Sequence, residues 1–428
     1  FIPLQLWWAL ENLISHHPAR ARELLSYSGF WDTPLFETVL SERVGRRYMA
    51  ERSPESLRMC AQLLTIANGS GHLETLIRGM VKALEGTSLD PVPPELDAAL
   101  ALLWKNEGVS GEVIRLSLRL RSPQALAAAR PLLKAPSTPL PQRLDLIKAL
   151  GELGDAPSEK IFLSLLRNEK TEPSVRLAAL TALRRYSGDN IPSTLLSLYP
   201  NLQGDLLQVS QSLLASRPAW AHQLLLAVKG GVIDKSSISQ ASILVMRNYK
   251  DRQIVSLLDQ HFGSTQSSTR HKAERIAAIK NLLSAEAPQG KPSDGNAVFS
   301  QQCAACHKFR DQGRDIGPDL TGYEMKNLDY LVPAIIDPNL GIRECFELAT
   351  ITLRPTGKAT SAILTGFITD ANALTVTIKD LSGIRTVIAR KDVAQLTRAP
   401  VSVMPEGLLD QLNDQQIRDL IAYLQSKG

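Results

Sequence analysis

Cysteine is scarce in this chain. Four residues in 428 are too few for a disulfide framework. Aromatic residues make up only 5% of the sequence, and no basic cluster is interleaved with them, which excludes an evident nucleic-acid surface. No apolar run approaches the roughly 18 residues of a membrane span, so no membrane span is expected. An excess of one charge is also lacking: Lys plus Arg number 48 against 43 Asp plus Glu, or 34 against 27 before Pro292 and 14 against 16 from there on. Length alone predicts two or three domains. The chain opens at Phe1 without a methionine, a charged leader or a cleavage site. The expectation is that a signal segment precedes it, with or without an upstream domain.

Scarcity makes cysteine placement informative. Two of the four fall in Cys303-Ala-Ala-Cys306-His307, the C-x-x-C-H pattern of c-type haem attachment. Thiols three residues apart project from one face of a helical turn and can add to two haem vinyl groups, while the adjacent imidazole reaches the iron. A redox dithiol or half a zinc site would also use C-x-x-C, but zinc needs a second ligand pair. Neither Cys60 and Cys345 nor the remaining, scattered histidines supply one. Cys60 and Cys345 are read as small buried hydrophobes.

A methionine opposite the histidine favours reduced iron and suits electron transfer, whereas an open position suits peroxide or gas chemistry. Met325 and Met404 are the two methionines after His307. Met404 is preferred, because Pro400-Val-Ser-Val-Met-Pro-Glu-Gly407 reads as a loop immediately before the terminal helix, 414–426. The 97 residues from His307 to Met404 are many for a compact cytochrome. From Phe346 to about Leu396, however, the apolar period becomes two, with turns at Thr356-Gly357, Thr369 to Asn372 and Leu381 to Gly383. This predicts a four-stranded antiparallel insert, about 345–398. Within Ile316-Gly-Pro-Asp-Leu320, the Pro318 carbonyl is the candidate acceptor for the Nδ1 hydrogen of His307, fixing its tautomer. Tyr423 of the terminal helix is placed against Phe299.

Residues 1–285 read as successive amphipathic helices interrupted by Pro18, Pro34, Pro54, Gly69 to Gly71, Pro91 to Pro94, Pro136 to Pro141, Pro157, Pro173 and Pro192. Residues 143–155 align with 176–188 at an offset of 33 residues, and the segment from Pro173 to Leu183 resembles the first helix of HEAT-type repeats. Such a stack offers an extended surface, as a docking scaffold or as a spacer. Trp7, Trp8, Trp31, Trp104 and Trp220 are read as core residues. The Pro/Gly-rich stretch 286–292 reads as a linker, after which Ser293 or Asp294 is expected to cap a helix.

Together Val298-Phe-Ser-Gln-Gln-Cys-Ala-Ala-Cys-His307, Ile316-Gly-Pro-Asp-Leu-Thr-Gly322, Ile336-Asp-Pro-Asn339, Ser402-Val-Met-Pro-Glu-Gly-Leu408 and Asp419-Leu-Ile-Ala-Tyr-Leu424 resemble the planctomycete and verrucomicrobium type of haem-binding domain over about 293–428. The resemblance implies a class I-like cytochrome c fold with a β insertion. In it Cys303 and Cys306 tether one covalent haem c, His307 is the proximal ligand and Met404 the distal one. Such domains often follow helical repeats and a β-propeller similar to soluble quinoprotein sugar dehydrogenases, and Phe1 to Glu11 looks like the segment that leaves such a propeller.

The expected architecture is therefore mainly α: a HEAT-like α-solenoid (1–285), a linker (286–292) and a cytochrome c domain (293–428) with a small antiparallel β insert. The expected function is electron transfer from a partner or upstream dehydrogenase domain to another carrier such as a small cytochrome, in the periplasm or another exported location. Two other classes stay open. One is a fragment of a quinoprotein-type sugar or alcohol dehydrogenase lacking its catalytic domain, or a haem peroxidase; the other is a scaffold or sensor. No nucleophile or acid–base constellation stands out, so no catalytic residue is nominated and the chain alone is not expected to be an enzyme.

Overall fold

A computed structural model describes residues 2–67, 71–89, 91–105, 110–247, 249, 251–262, 269–284, 289–321, 325–355, 362–399 and 401–426. Gly69 and Ser70 of the expected break, the first part of the expected linker (286–288), the expected turn at Thr356-Gly357 and Pro400 lie outside them. The chain is mainly helical with a small antiparallel sheet. It forms two compact units, Phe1–Arg185 and Tyr186–Gly428.

From Ser41 onward, helices of the first unit pack mainly on the next but one. Ser41–Glu51 lies on Leu73–Ala83, which lies on Gly111–Arg119, then Leu140–Leu153, then Pro173–Ala182. A second row runs alongside, with Pro54–Ala67 on Pro94–Leu103 and Pro123–Lys134 on Ala156–Arg167. The prolines that punctuate the sequence sit largely in first turns, where no N–H is needed and φ is already set; Pro94, Pro123, Pro157 and Pro173 are examples. The repeat visible in sequence is matched by a shared contact: Arg143 Nε donates to the Leu133 carbonyl at 2.7 Å, and Arg176 Nε to the Leu166 carbonyl at 3.2 Å. Three of the five tryptophans, Trp7, Trp31 and Trp220, are buried, but Trp8, about 100° round the helix from Trp7, is 57% exposed.

The second unit contains further helices stacked in the same next-but-one manner, such as Gly204–Ala215 on Gln240–Arg247 and Pro218–Lys229 on Arg252–Phe262. A separate apolar core gathers Val298 and Phe299 of the Pro292–Gln302 helix with Ile417, Leu420, Ile421 and Leu424 of the terminal helix, Asp414–Gln425. These two helices cross at Gly295, where a Cβ would lie 1.9 Å from the Asp419 carbonyl oxygen. Only glycine permits that approach. Tyr423 stands 5.5 Å from Phe299, ring centre to ring centre. The same core includes Ile279 and, partly buried, Ile276 and Leu282 of the Thr269–Leu282 helix, which packs on Leu328–Ile336.

Among the described residues the insert is five-stranded. A hairpin, β1 (Lys308–Phe309) and β2 (Gln312–Gly313), precedes it. The sheet itself holds β3 (Leu348–Leu353), β4 (Ile363–Ala371), β5 (Thr375–Lys379), β6 (Arg385–Ala389) and β7 (Val393–Ala399), in the antiparallel order β6-β5-β4-β3-β7. The strand beyond the expected four, β7, is an edge strand whose side chains are mostly exposed, so it lacks the apolar alternation that marks the others. The turn expected from Thr369 begins only at Asn372, whose side chain accepts from the Leu374 and Thr375 N–H groups at 2.9 Å. The helix expected to be capped by Ser293 or Asp294 starts two residues earlier than a Ser293 cap would place it, at Pro292. Its N-cap is Lys291, whose N–H is held by Asp419 Oδ1 at 2.7 Å. Cys60 is buried, but Cys345 is exposed beside the sheet, a short helical turn having left it outside the core.

Asp155 ties two helices of the first unit through a two-pronged contact with Arg130, at 3.0 and 2.6 Å. Burial pushes its carboxyl pKa up, but hydrogen bonds from Arg130 and Ser158 outweigh that and hold it below the ordinary value. Asp155→Ala should destabilise the protein by about 1.5–3 kcal/mol near neutrality, as hydrogen bonds to a charged group do. A depressed carboxylate contributes stability above its unfolded pKa of about 4 and loses it as pH falls through the lower folded value. Urea unfolding at a series of pH values should therefore show the gap between wild type and variant closing in acid.

Candidate functional site

The Pro292–Gln302 helix runs directly into the cysteine motif. The Cys303 and Ala304 N–H groups donate to the Phe299 carbonyl at 2.8 and 2.9 Å, and those of Cys306 and His307 to the Cys303 carbonyl at 3.0 and 2.9 Å. The pentapeptide is thus one closed turn, with Cys303, Cys306 and His307 brought together on it. After β1 and β2 the chain doubles back, and the N–H groups of Ile316 and Gly317 donate to the Cys306 carbonyl at 3.0 and 2.7 Å. This delivers Pro318 to His307, and its carbonyl lies 2.8 Å from Nδ1.

A carbonyl only accepts, so Nδ1 carries the hydrogen and Nε2 keeps its lone pair. Burial lowers the imidazole pKa, the Pro318 bond only partly opposing it, which favours the neutral ring. Gly317 is packed against that ring: a Cβ there would lie 2.8 Å from Cε1 and 3.0 Å from Nδ1 of His307. Both motif thiols are unpaired and half-buried. Burial, with Cys306 alongside, pushes Cys303 up to about 12; burial also raises Cys306, against the pull of Arg314. Reactive dithiols have depressed pKa values, so this pair is poorly suited to thiolate exchange.

The returning loop is braced from two sides. Lys379, buried at the end of β5, donates to the Asp315 carbonyl. Arg314 pairs with Asp205 of the Gly204–Ala215 helix at 2.9 Å, and Ser212 of that helix reaches Asp380 at 3.1 Å.

Met404 sits on a separate loop and is half-buried. Its N–H donates to Ser402 Oγ at 3.1 Å, and the Ser402 N–H to Asn339 Oδ1 at 2.8 Å. Asn339 Nδ2 in turn donates to Glu406 Oε1 at 3.1 Å. One asparagine therefore spans the methionine, gripping residues two before and two after it. Met325, by contrast, is 6% exposed and enclosed in the apolar core.

Haem attachment requires two free thiols, an imidazole with an open Nε2 and, for six-coordination, an available thioether. The first two are met within one turn, and Met404 has the exposure that Met325 lacks. Among the described residues no group of three or more His, Cys, Asp or Glu side chains could hold a metal ion, but an imidazole paired with a thioether is a donor set of another kind. No family profile and no curated protein matches the chain, so the site's geometry carries the functional reading.

Gly317, Asn339 and Lys379 were not singled out from sequence as site residues. Gly317 and Asn339 lie within the Ile316–Gly322 and Ile336–Asn339 runs, whereas Lys379 carries no local signal, because a buried lysine is indistinguishable in sequence from a surface one. Gly317→Ala should push the imidazole off the Pro318 carbonyl and cost about 1–3 kcal/mol, as overpacking does. By NMR the wild type should show a slowly exchanging Nδ1 proton of His307, and the variant should lose it.

Proposed function

We propose that this chain is an electron-transfer protein carrying one covalent haem c. The observation that carries the reading is the single turn holding Cys303, Cys306 and His307, with His307 Nδ1 committed to the Pro318 carbonyl and both thiols free. Bound there, a haem supplies one-electron exchange at its iron, with a potential set by the axial pair. Cys303 and Cys306 are the tethers and His307 the proximal ligand, its basicity raised by the Pro318 bond. Met404 is the distal ligand, on a loop ordered by Asn339.

Residues 1–285 are read as a HEAT-like α-solenoid, a reading supported by the next-but-one packing of helices within each unit, and residues 293–428 as a class I-like cytochrome c domain. The electron donor is a partner or upstream dehydrogenase domain, and the acceptor a small carrier such as another cytochrome. Covalent attachment to C-x-x-C-H puts the protein in the periplasm or another exported location.

The test is spectroscopic. Protein made with haem-attachment machinery should keep haem through denaturing electrophoresis, and Cys303→Ala with Cys306→Ala should abolish that. The oxidised wild type should show the weak near-infrared sulfur-to-iron band of His/Met ligation. Met404→Ala should lose this band and lower the potential, while Met325→Ala should keep it. A high-spin oxidised spectrum in the wild type would defeat the relay reading and put peroxidase or gas-binding chemistry ahead.

A further inference from the structure

We propose that Lys272 is a positioning residue for the Met404 thioether; the inference rests on the His307/Met404 reading above. Lys272 belongs to the Thr269–Leu282 helix, well before the motifs that suggest haem. Its ammonium reaches Asp337 Oδ1 at 2.9 Å and Glu406 Oε1 at 2.5 Å, and all three side chains are about four-fifths buried. Glu406 follows Met404 by two residues, and Asp337 precedes Asn339 by two. Asn339 bonds both Glu406 and Ser402, so one lysine joins the methionine loop to the segment that carries Asn339.

The energetics follow from burial. A pair of exposed charges is screened and contributes little, but these three groups are largely out of solvent, where removing one partner leaves the others uncompensated. Without Lys272 the ion pairs to Asp337 and Glu406 are lost, and with them the tie that holds the two segments joined by Asn339 to the helix. The helix that carries the ammonium is fixed by Ile276, Ile279 and Leu282 in the core, so the charge is presented from a rigid element rather than from a loop. Lys280 on the same helix provides the contrast: its partner, Asp329, is 86% exposed and lies away from the methionine loop.

The test compares Lys272→Met with Lys280→Met in the haem-loaded full chain. Three quantities are read: the near-infrared sulfur-to-iron band, the affinity of the oxidised protein for added imidazole, which competes with Met404, and the unfolding midpoint. Loss of a partner that orients a metal ligand costs roughly tenfold to a hundredfold; imidazole affinity should rise by that factor in Lys272→Met, with a weakened band. Lys280→Met should match wild type, and Lys272→Arg, which keeps both carboxylates paired, should restore wild-type values. If Lys272→Met does not fold, Glu406→Gln, which weakens the ion pair but keeps a hydrogen-bonding group, should shift imidazole affinity in the same direction by a smaller factor. A lower unfolding midpoint with an unchanged band and imidazole affinity would overturn the proposal and leave Lys272 a merely structural ion pair. A wild type that holds haem without the band would instead sink the His/Met reading, and the role of Lys272 with it.

Discussion

The hydrogen bond from His307 Nδ1 to the Pro318 carbonyl decides which imidazole nitrogen is available, and the surrounding chain is arranged to keep it. The acceptor loop is pinned by backbone N–H groups of Ile316 and Gly317 to the Cys306 carbonyl, so donor and acceptor are anchored to the same turn. Gly317 has no side chain because the ring occupies the space. Lys379 from the sheet and Asp205 from a preceding helix hold the outside of the loop. In the proposed reading, the tautomer that frees Nε2 is set by a carbonyl 11 residues along the chain and reinforced by elements more remote in sequence.

The two methionines illustrate how burial separates equivalent residue types. A thioether in the core is committed to packing, and Met325 is buried in the same apolar cluster as Phe299, Phe309 and Leu331. Met404 has its backbone ordered while its side chain keeps some exposure, a state in which a ligand can be presented at little additional entropic cost. Order at Met404 comes from polar contacts of the main chain, so apolar packing need not enclose the sulfur.

Much of this was legible in the sequence. The C-x-x-C-H turn, the Pro318 contact and the Phe299–Tyr423 pairing each follow from short-range spacing or from a clear apolar stripe. The change to period two after Phe346 announced the sheet, but β7 escaped notice because an edge strand with exposed side chains carries no alternation. Trp8 and Cys345 were misplaced because residue type gives a preference for burial, and the side of a helix or the end of a strand overrides it. Lys272 and Lys379 had no signal: their roles are created by partners 64 or more residues away and exist only in the folded chain.

The Thr269–Leu282 helix has a consequence for how such chains are cut and joined. Its apolar face shares a core with the Pro292–Gln302 and Asp414–Gln425 helices, and Lys291, in the Pro/Gly-rich stretch between, is bound to Asp419. A fragment beginning at the first residue of the recognisable motif region would leave that core open along one flank. Recombination that moved the motif region alone between genes would transplant a cassette without its wall, so the heritable module is longer than the signature by which it is noticed.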